Sequence, residues 1–448
     1  MMDTNGISRI AEGDRIPSLD ILRGLAILLI LLMNISWMGG YGGPPLFELR
    51  HPSWTPADYW ATLILHVTLE GTQRGLLELL FGAGIMIMAR RAMTPDGPVE
   101  VADLHYRRNL WLILFGLANA LLLMWMGDIL LVYGIAAIFL FPFRRTGPRG
   151  QLGWAALIIA ALMTVGAMEY RSAVTERAKV EQLAAQAASG VTLSEADSKK
   201  VEEQKARDLR RSSLPAASPD KMKSIEAADQ ARRSSFGAYW AFQRDGWLMV
   251  MSNFFWQIEG EILATMLIGM ALYQWGIIQG KASTRTYAAL LVVGYAVGLS
   301  LRGTLWAERL TFQPGIHWQR MFEDIARLAV TLGHVGLVHL ALRASLGRRL
   351  LAPFAAAGKM PLSIYLFTSL LMMWVVFAPW GFGLAGRWGM ADMTLVAAIV
   401  IALELVAAVL WMRRFENGPM EWLWKSLAYQ QRQPFRRARL EGRAQPAE

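Results

Sequence analysis

The chain contains no cysteine. That excludes disulfides, thiolate metal sites and a cysteine nucleophile. It is also poor in charge: Asp, Glu, Lys and Arg make up 18% of 448 residues, against 54% hydrophobic residues. A water-soluble chain of this length carries more charge, because its surface must be wetted. No P-loop, zinc-ligand spacing or G-x-S-x-G elbow occurs. Gly82-Ala83-Gly84 and Gly381-Phe382-Gly383 read as close helix packing or a turn rather than phosphate loops. The first apolar block has no A-x-A site after it, so it is expected to be a retained helix and not a cleaved leader.

Apolar blocks are what the chain has in quantity. They run Leu19–Gly40, Gly75–Met88, Leu110–Met126, Ile129–Phe143, Leu152–Met168, Ile262–Ile278, Tyr287–Leu301, Ile325–Leu342, Leu362–Trp380 and Leu395–Met412. Most approach the roughly 17–25 residues that cross hydrocarbon. The formal net charge is +10, but Lys and Arg gather at block ends, where they meet anionic head groups. No basic stripe forms elsewhere, so nucleic acid is not an expected partner.

Charge counting sets the sidedness. With Arg9, Arg15 and Arg23 inside, the basic groups Arg90/Arg91/Arg107/Arg108, Arg144/Arg145/Arg149, Lys281/Arg285, Arg343/Arg348/Arg349 and Arg413/Arg414 all fall inside as well. Two interrupted stretches, Trp54–Leu69 and Trp240–Ile258, are assigned to the outer face. Counting the first as a span would put the next five basic loops outside. The expectation is an all-α polytopic membrane bundle of about ten transmembrane helices, with both termini inside. Residues 1–168 hold helices one to five and 237–425 hold helices six to ten. Residues 169–236 form an extracytoplasmic helical insertion, and 426–448 a basic cytoplasmic tail that meets the leaflet. In the insertion, Ala173–Arg211 is rich in helix formers. Thr192 and Glu195 have capping-box spacing, and Ser218-Pro219-Asp220 starts another helix after the break at Pro215.

The first block opens Leu19-Asp20-Ile21-Leu22-Arg23-Gly24. This resembles the first helix of the transmembrane acyltransferase superfamily. Within it, Glu70-Gly71 with Leu79-Leu80-Phe81-Gly82-Ala83-Gly84 is similar to the DUF418 or YeiB-like branch. So are Gly116-Leu117-Ala118-Asn119-Ala120 with Gly127-Asp128, Gly358-Lys359-Met360-Pro361-Leu362-Ser363, and Gly418-Pro419-Met420-Glu421-Trp422. The resemblance implies a helical membrane bundle and acyl-coenzyme A as co-substrate. It covers most of the membrane portion and leaves out the insertion. Asn34 stands eleven positions after Arg23, where O-acyltransferases carry His, and Asn119 stands where the branch often has His. An amide does not titrate, so neither can act as a base.

Candidate chemistry lies in two groups. Asp20 and Arg23, three apart, share a helix face near the cytoplasmic end; an ion pair that anchors the helix competes with a phosphate contact to acyl-coenzyme A. His66, Glu70 and Arg74 would form one stripe if Trp54–Arg74 is helical. His66 is then either a head-group-wetted interfacial residue or a general base. Glu78, His334, His339 and Glu404 lie inside blocks and each needs a partner. His334 and His339, five apart, point about 140° from each other and suit no common metal. Glu259 and Glu261 flank Gly260 at the mouth of block six, Asp128 caps a hairpin, and Glu421 is a signature residue with a structural or a catalytic role.

The site expected from these residues has His66, Glu70 and Glu78 as catalytic groups. Asp20, Arg23, Asn34, Arg74, Asn119, Asp128 and Glu421 would bind substrate, and no metal is expected. The function expected is acyl transfer from cytoplasmic acyl-coenzyme A to an acceptor at the outer face of a bacterial inner membrane. Membrane lipids and a small-molecule, glycan or lipid acceptor would be the partners. A permease that uses the intramembrane polar residues, or a scaffold that docks through Glu169–Ser235, are the alternatives.

Overall fold

The computed structural model describes residues 16–41, 51, 53–90, 99–212, 219–311 and 316–437. Among these the fold is helical, in the order α1 (Pro17–Gly39), α2 (Pro56–Thr68), α3 (Thr72–Arg90), α4 (Val99–Leu121), α5 (Leu130–Leu140), α6 (Pro148–Ala188), α7 (Glu195–Ser212) and α8 (Pro219–Ser234). There follow α9 (Phe236–Gln274), α10 (Thr284–Arg309), α11 (Glu323–Ala341), α12 (Ser345–Leu351), α13 (Phe354–Gly358), α14 (Pro361–Leu370), α15 (Met390–Arg414) and α16 (Pro419–Tyr429). Among the described residues, six segments are long and apolar enough to cross a bilayer: α1, α6, α9, α10, Trp318–Ala341 and α15. This is a multi-pass membrane protein. The other expected spans fall short for visible reasons. α3 carries Arg74 and Glu78, α4 carries Asp103, Arg107 and Arg108, α5 has 11 residues, and α14 passes into a π turn at Leu371–Val376.

Two helices are far longer than a membrane needs. α6 has 41 residues and α9 has 39, each about 60 Å at 1.5 Å per residue, against hydrocarbon about 30 Å thick. Two expectations change here. Trp240–Ile258 is not a separate outer segment: it is the first half of α9, continuous with block six. The expected start of the insertion at residue 169 falls within a helix, since α6 runs without interruption to Ala188. The cap of α7 is also different. Ser194 accepts from the Asp197 N–H, so Thr192 is not the capping residue. Pro219 does open α8, while Pro215 and Ser218 lie outside the described residues, as do Arg9, Arg15, Arg91 and the tail beyond 437.

Contacts define two ends of the bundle. At one, Arg232 of α8 donates to the carbonyl of Gly40, Arg233 to that of Ala385 (3.2 Å), and Gly386 N–H to that of Gly39 (2.8 Å). The insertion is thereby fastened onto the end of α1. At the other, Gln274 bonds Gln151 (2.9 Å), Arg343 bonds Ala282 (2.6 Å), and Trp424 bonds the carbonyl of Arg108 (2.9 Å). Arg144, Arg145, Lys281, Arg348 and Arg349 sit in the loops and short helices of this second end, and Arg285 lies in the first turn of α10.

Glycine sets the closest helix approaches. A Cβ on Gly82 would meet the carbonyl of Met266, and one on Gly269 would meet that of Leu79. Arg74 also meets Glu261, so α3 and α9 run in the same direction. A Cβ on Gly24 would meet the carbonyl of Phe354, and one on Gly358 that of Asp20. Backbones this near gain dispersion contacts that any side chain would prevent. Gly82→Ala and Gly269→Ala are each expected to cost about 1–3 kcal/mol of stability. Gly84→Ala, whose Cβ meets nothing within 4 Å, is the matched control and leaves the thermal midpoint in detergent unchanged.

Candidate functional site

The site lies at the insertion end, where the α2–α3 turn meets α9, α10 and α11. α2 is a short amphipathic helix, about 20 Å long. It starts with a Thr55–Asp58 capping box and buries Asp58, Thr62, Leu65 and His66 along one face. Asp58 also accepts from the N–H of Ala391 at 2.8 Å, which ties α2 to α15. Trp54–Arg74 is not one helix. The chain turns between Thr68 and Thr72 because Gly71 adopts φ +69, a conformation that costs a residue with a Cβ. A Cβ there would also lie 2.8 Å from Cδ of Arg327.

The break sends the expected stripe two ways. His66 packs against Trp306 with ring centroids 4.1 Å apart and the planes tilted by 46°. Trp306 Nε1 donates to Glu70 at 3.1 Å, and Arg302 donates to the carbonyl of Glu70 at 2.5 Å. His66 Nδ1 lies 2.8 Å from the carbonyl of Thr62. That nitrogen therefore carries the proton, and the lone pair stays on Nε2. Burial pulls the His66 pKa below its ordinary value, against the opposing charge of Glu70. The ring is thus neutral near pH 7.

Arg74 turns into the bundle and joins a buried charge network. It lies 2.5 Å from Glu261 and 3.3 Å from Glu78. Arg327 of α11 lies 3.1 Å from Glu78 and 2.7 Å from Glu261, and it donates to Thr265 at 2.9 Å. Tyr133 of α5 donates to the carbonyl of Arg74 at 3.0 Å. A lone carboxylate among apolar helices costs several kcal/mol. Here two guanidiniums and two carboxylates cancel, so fully buried Glu78 is held without a bare charge.

The remaining candidates lie elsewhere. Arg23 pairs with Asp20 at 3.2 Å and donates to the carbonyl of Gly358 at 3.3 Å, at the opposite end. Asn34 is half-buried on α1, with no hydrogen bond among the described residues. Asn119 donates to Asp128 at 2.8 Å, and Asp128 accepts the N–H of Leu131 at 2.9 Å, which caps α5. Glu421 accepts from the N–H groups of Leu362 (2.5 Å) and Ser363 (3.1 Å), so α16 caps α14. His334 bridges Tyr295 (2.7 Å) and the carbonyl of Thr68 (3.1 Å), whereas His339 stacks on Tyr287 at 4.6 Å. Glu404 bonds Thr368 at 2.6 Å. Buried Glu259 has neither carboxylate oxygen hydrogen-bonded among the described residues.

Sequence reasoning passed over Arg302, Trp306, Asp324 and Arg327. Arg327 had a signal: it stands inside the block Ile325–Leu342, as Glu78 stands inside its own. Trp306 and Arg302 had none, because they lie just past a block end, where Trp and Arg are common.

The comparisons bear on this geometry. Residues 272–431 match the family described as "Protein of unknown function (DUF418)". The chain is 27% identical over 437 residues to "Uncharacterized protein YxaH" of Bacillus subtilis (strain 168), covering 94% of this chain and 96% of that one. It is 25% identical over 436 residues to "Uncharacterized protein YeiB" of Escherichia coli (strain K12), covering 92% and 96%. Over residues 272–431 the chain matches the DUF418 family, and along its length it is similar to these two YeiB-like proteins. No solved structure matches it. The matched span supplies Arg302, Trp306, Arg327 and Glu421, while His66, Arg74, Glu78 and Glu261 come from outside it. The site is assembled across that boundary.

Several family-like motif residues have structural work in this fold. A Cβ on Gly116 would meet Asp128 Oδ2 at 2.6 Å, so Gly116, Asn119 and Asp128 form one joint. The hydroxyl of Tyr365 accepts from Trp125 Nε1 (3.0 Å) and from the N–H of Ile129 (3.2 Å) beside it. Asn119→Leu should therefore lower stability by about 1–3 kcal/mol by stripping a buried carboxylate of its donor. Activity per folded molecule should stay the same. Thermal melting paired with a turnover assay distinguishes this from a catalytic Asn119.

Proposed function

We propose that this protein is a transmembrane acyltransferase of a bacterial cytoplasmic membrane. It would carry an acyl group from cytoplasmic acyl-coenzyme A to an acceptor at the outer face. The observation that carries the reading is the His66 tautomer: Nδ1 is held by Thr62, and Nε2 keeps its lone pair beside Trp306 and Glu70. A neutral, positioned imidazole is the base that acyl transfer needs and that Asn34 and Asn119 cannot supply.

In this reading His66 Nε2 takes the proton from the acceptor's O–H or N–H. The acceptor's lone pair then forms the new bond to the acyl carbon. The carbon–sulfur bond breaks, and the coenzyme A thiolate leaves and is protonated. Glu70 orients Trp306, against which the imidazole rests, and Glu78 with Arg74 holds the turn in place. Arg23 and Arg108 at the basic end would meet the donor's phosphates, which suits bidentate guanidinium chemistry. Arg108 stacks over Trp424 at 4.4 Å, and Arg23 is partly engaged by Asp20 and Gly358. The two ends lie on opposite faces, so the thioester must reach through the bundle. A permease is the second reading, favoured by the buried charge network of Arg74, Glu78, Glu261 and Arg327.

The test is consumption of an acyl-coenzyme A by the protein reconstituted in vesicles with a mixed lipid and sugar acceptor pool. His66→Ala should lower the rate by about 10²–10⁴. Because the folded pKa of His66 lies below the unfolded value, the base is unprotonated at neutral pH. The rate should fall only as pH drops through that lowered pKa, and His66→Ala should abolish the dependence. No acyl-coenzyme A consumption, or an equal rate in His66→Ala, would overturn the reading.

A further inference from the structure

The arginines at the basic end are unevenly spent. Arg144, Arg343 and Arg348 donate to backbone carbonyls there. Arg413, Arg414, Arg432 and Arg436 are exposed, and their side chains make no hydrogen bond or ion pair among the described residues. From Arg413 to Arg437 the chain carries five Arg and one Lys against two Glu. Glu421 is buried and caps α14, and Lys425 is held by Asn417, which leaves Glu416 against five Arg. On α4, which packs against α16, Arg107 pairs with Asp103 and Arg108 lies over Trp424. The local surplus is positive with every one of these neighbours counted.

α15 carries part of that surplus to lipid. Its exposed large side chains are Leu395, Ile399, Leu403, Val406 and Leu410, and steps of three and four put them on one face. The next step along that face lands on Arg413 and Arg414. With 25 residues the helix is about 37 Å long, against hydrocarbon about 30 Å thick. Such a face lies against acyl chains, and its last turn reaches the phosphates.

Residues 430–437 fold back onto this place and are clasped there. The N–H of Arg437 donates to the carbonyl of Arg414 (3.1 Å), and that of Glu416 to the carbonyl of Phe435 (3.1 Å). The Phe435 ring sits among Phe415, Trp422 and Trp411, with centroids 4.8, 5.3 and 6.1 Å away. Trp422 Nε1 donates to the carbonyl of Gln433 at 2.8 Å. The pairing sets Arg436 opposite Phe415, one residue from Arg414. Paired segments that bring like charges together repel each other, and an anion between them removes that cost. The clasp thus holds a basic cluster at the end of a lipid-facing stripe.

We propose that this clasp is a binding site for the phosphodiester of an anionic phospholipid, with Arg413, Arg414 and Arg436 on the phosphate and the acyl chains along the stripe from Leu395 to Leu410. A guanidinium meets a phosphate with two parallel N–H bonds. A zwitterionic lipid brings its own ammonium and gains less from the surplus of positive charge. The site is independent of acyl transfer, and its measurement needs no acyl donor.

Because the chain has no cysteine, one introduced thiol reports on one place. Ala407→Cys, at an exposed position on α15 before Arg413, carries a fluorophore in the full-length protein in vesicles. Val293→Cys, at an exposed position on α10, carries the same label as the reference. Quenching by a nitroxide-labelled phosphatidylglycerol is compared with quenching by phosphatidylcholine of the same chains. The ratio of their apparent affinities should be about ten at the α15 label and about one at the α10 label, since each Arg near an anionic head group contributes severalfold. Arg413→Gln together with Arg414→Gln should bring the α15 ratio to about one. Phe435→Ser keeps every arginine but opens the clasp, and should lower the ratio about threefold. Thermal midpoints confirm that these variants are folded. Millimolar inorganic phosphate at fixed ionic strength should leave the ratio unchanged. Equal ratios at the two labels, a ratio that survives either variant, or displacement by inorganic phosphate would each overturn the proposal.

Discussion

Arg327 holds this molecule together at its least forgiving point. A guanidinium buried among apolar helices is tolerated only if its charge and its donors are both satisfied. Glu78 on α3 and the hydroxyl of Thr265 accept from its two terminal nitrogens, Glu261 on α9 balances the charge 2.7 Å from Nε, and Arg74 completes the neutral set. The consequences spread outward. Three helices must bring these groups to one level. α3 and α9 can do so only because Gly82 and Gly269 let their backbones touch. Gly71 must turn at positive φ to make room for the Arg327 side chain, and that turn directs His66 toward Trp306 while it sends Arg74 inward.

The same constraint divides the protein into two ends with different duties. At the basic end, α1, α13, α14 and α16 are locked by backbone contacts and by carboxylate caps, with Asp20, Arg23, Glu421 and Gly358 as the fittings. Those interactions are largely satisfied internally, and the proposed reaction asks of this end only a phosphate contact at Arg23 and Arg108. At the other end, Nε2 of His66 remains uncommitted. Chemistry therefore concentrates where the long helices α6 and α9 emerge and where α8 is fastened over α1.

Much of the architecture was legible from apolar block length and from the placement of Arg and Lys, because hydrocarbon and head groups impose both directly. Charged blocks such as α3 escaped a simple apolarity test for the same reason: Arg74 and Glu78 neutralise each other only in three dimensions. The continuity of α6 and α9 was not legible, since a helix can leave the membrane without changing its backbone pattern. In the site, Glu78 and Glu261 stood out as carboxylates in or beside apolar blocks. Arg302 and Trp306 did not, because interfacial Arg and Trp are ordinary there. The joint between Asn119 and Asp128 shows the reverse case, where a residue expected in a binding role proves to hold a turn.

The central claim is that Glu78 and Arg327 act as one neutral unit, and a double-mutant cycle on unfolding in detergent tests it most directly. Glu78→Leu and Arg327→Met should each cost about 3–5 kcal/mol, because each leaves a buried charge without its partner. The double variant should cost clearly less than the two together. Additivity to within about 0.5 kcal/mol would show that the two residues do not depend on each other, and would contradict the claim.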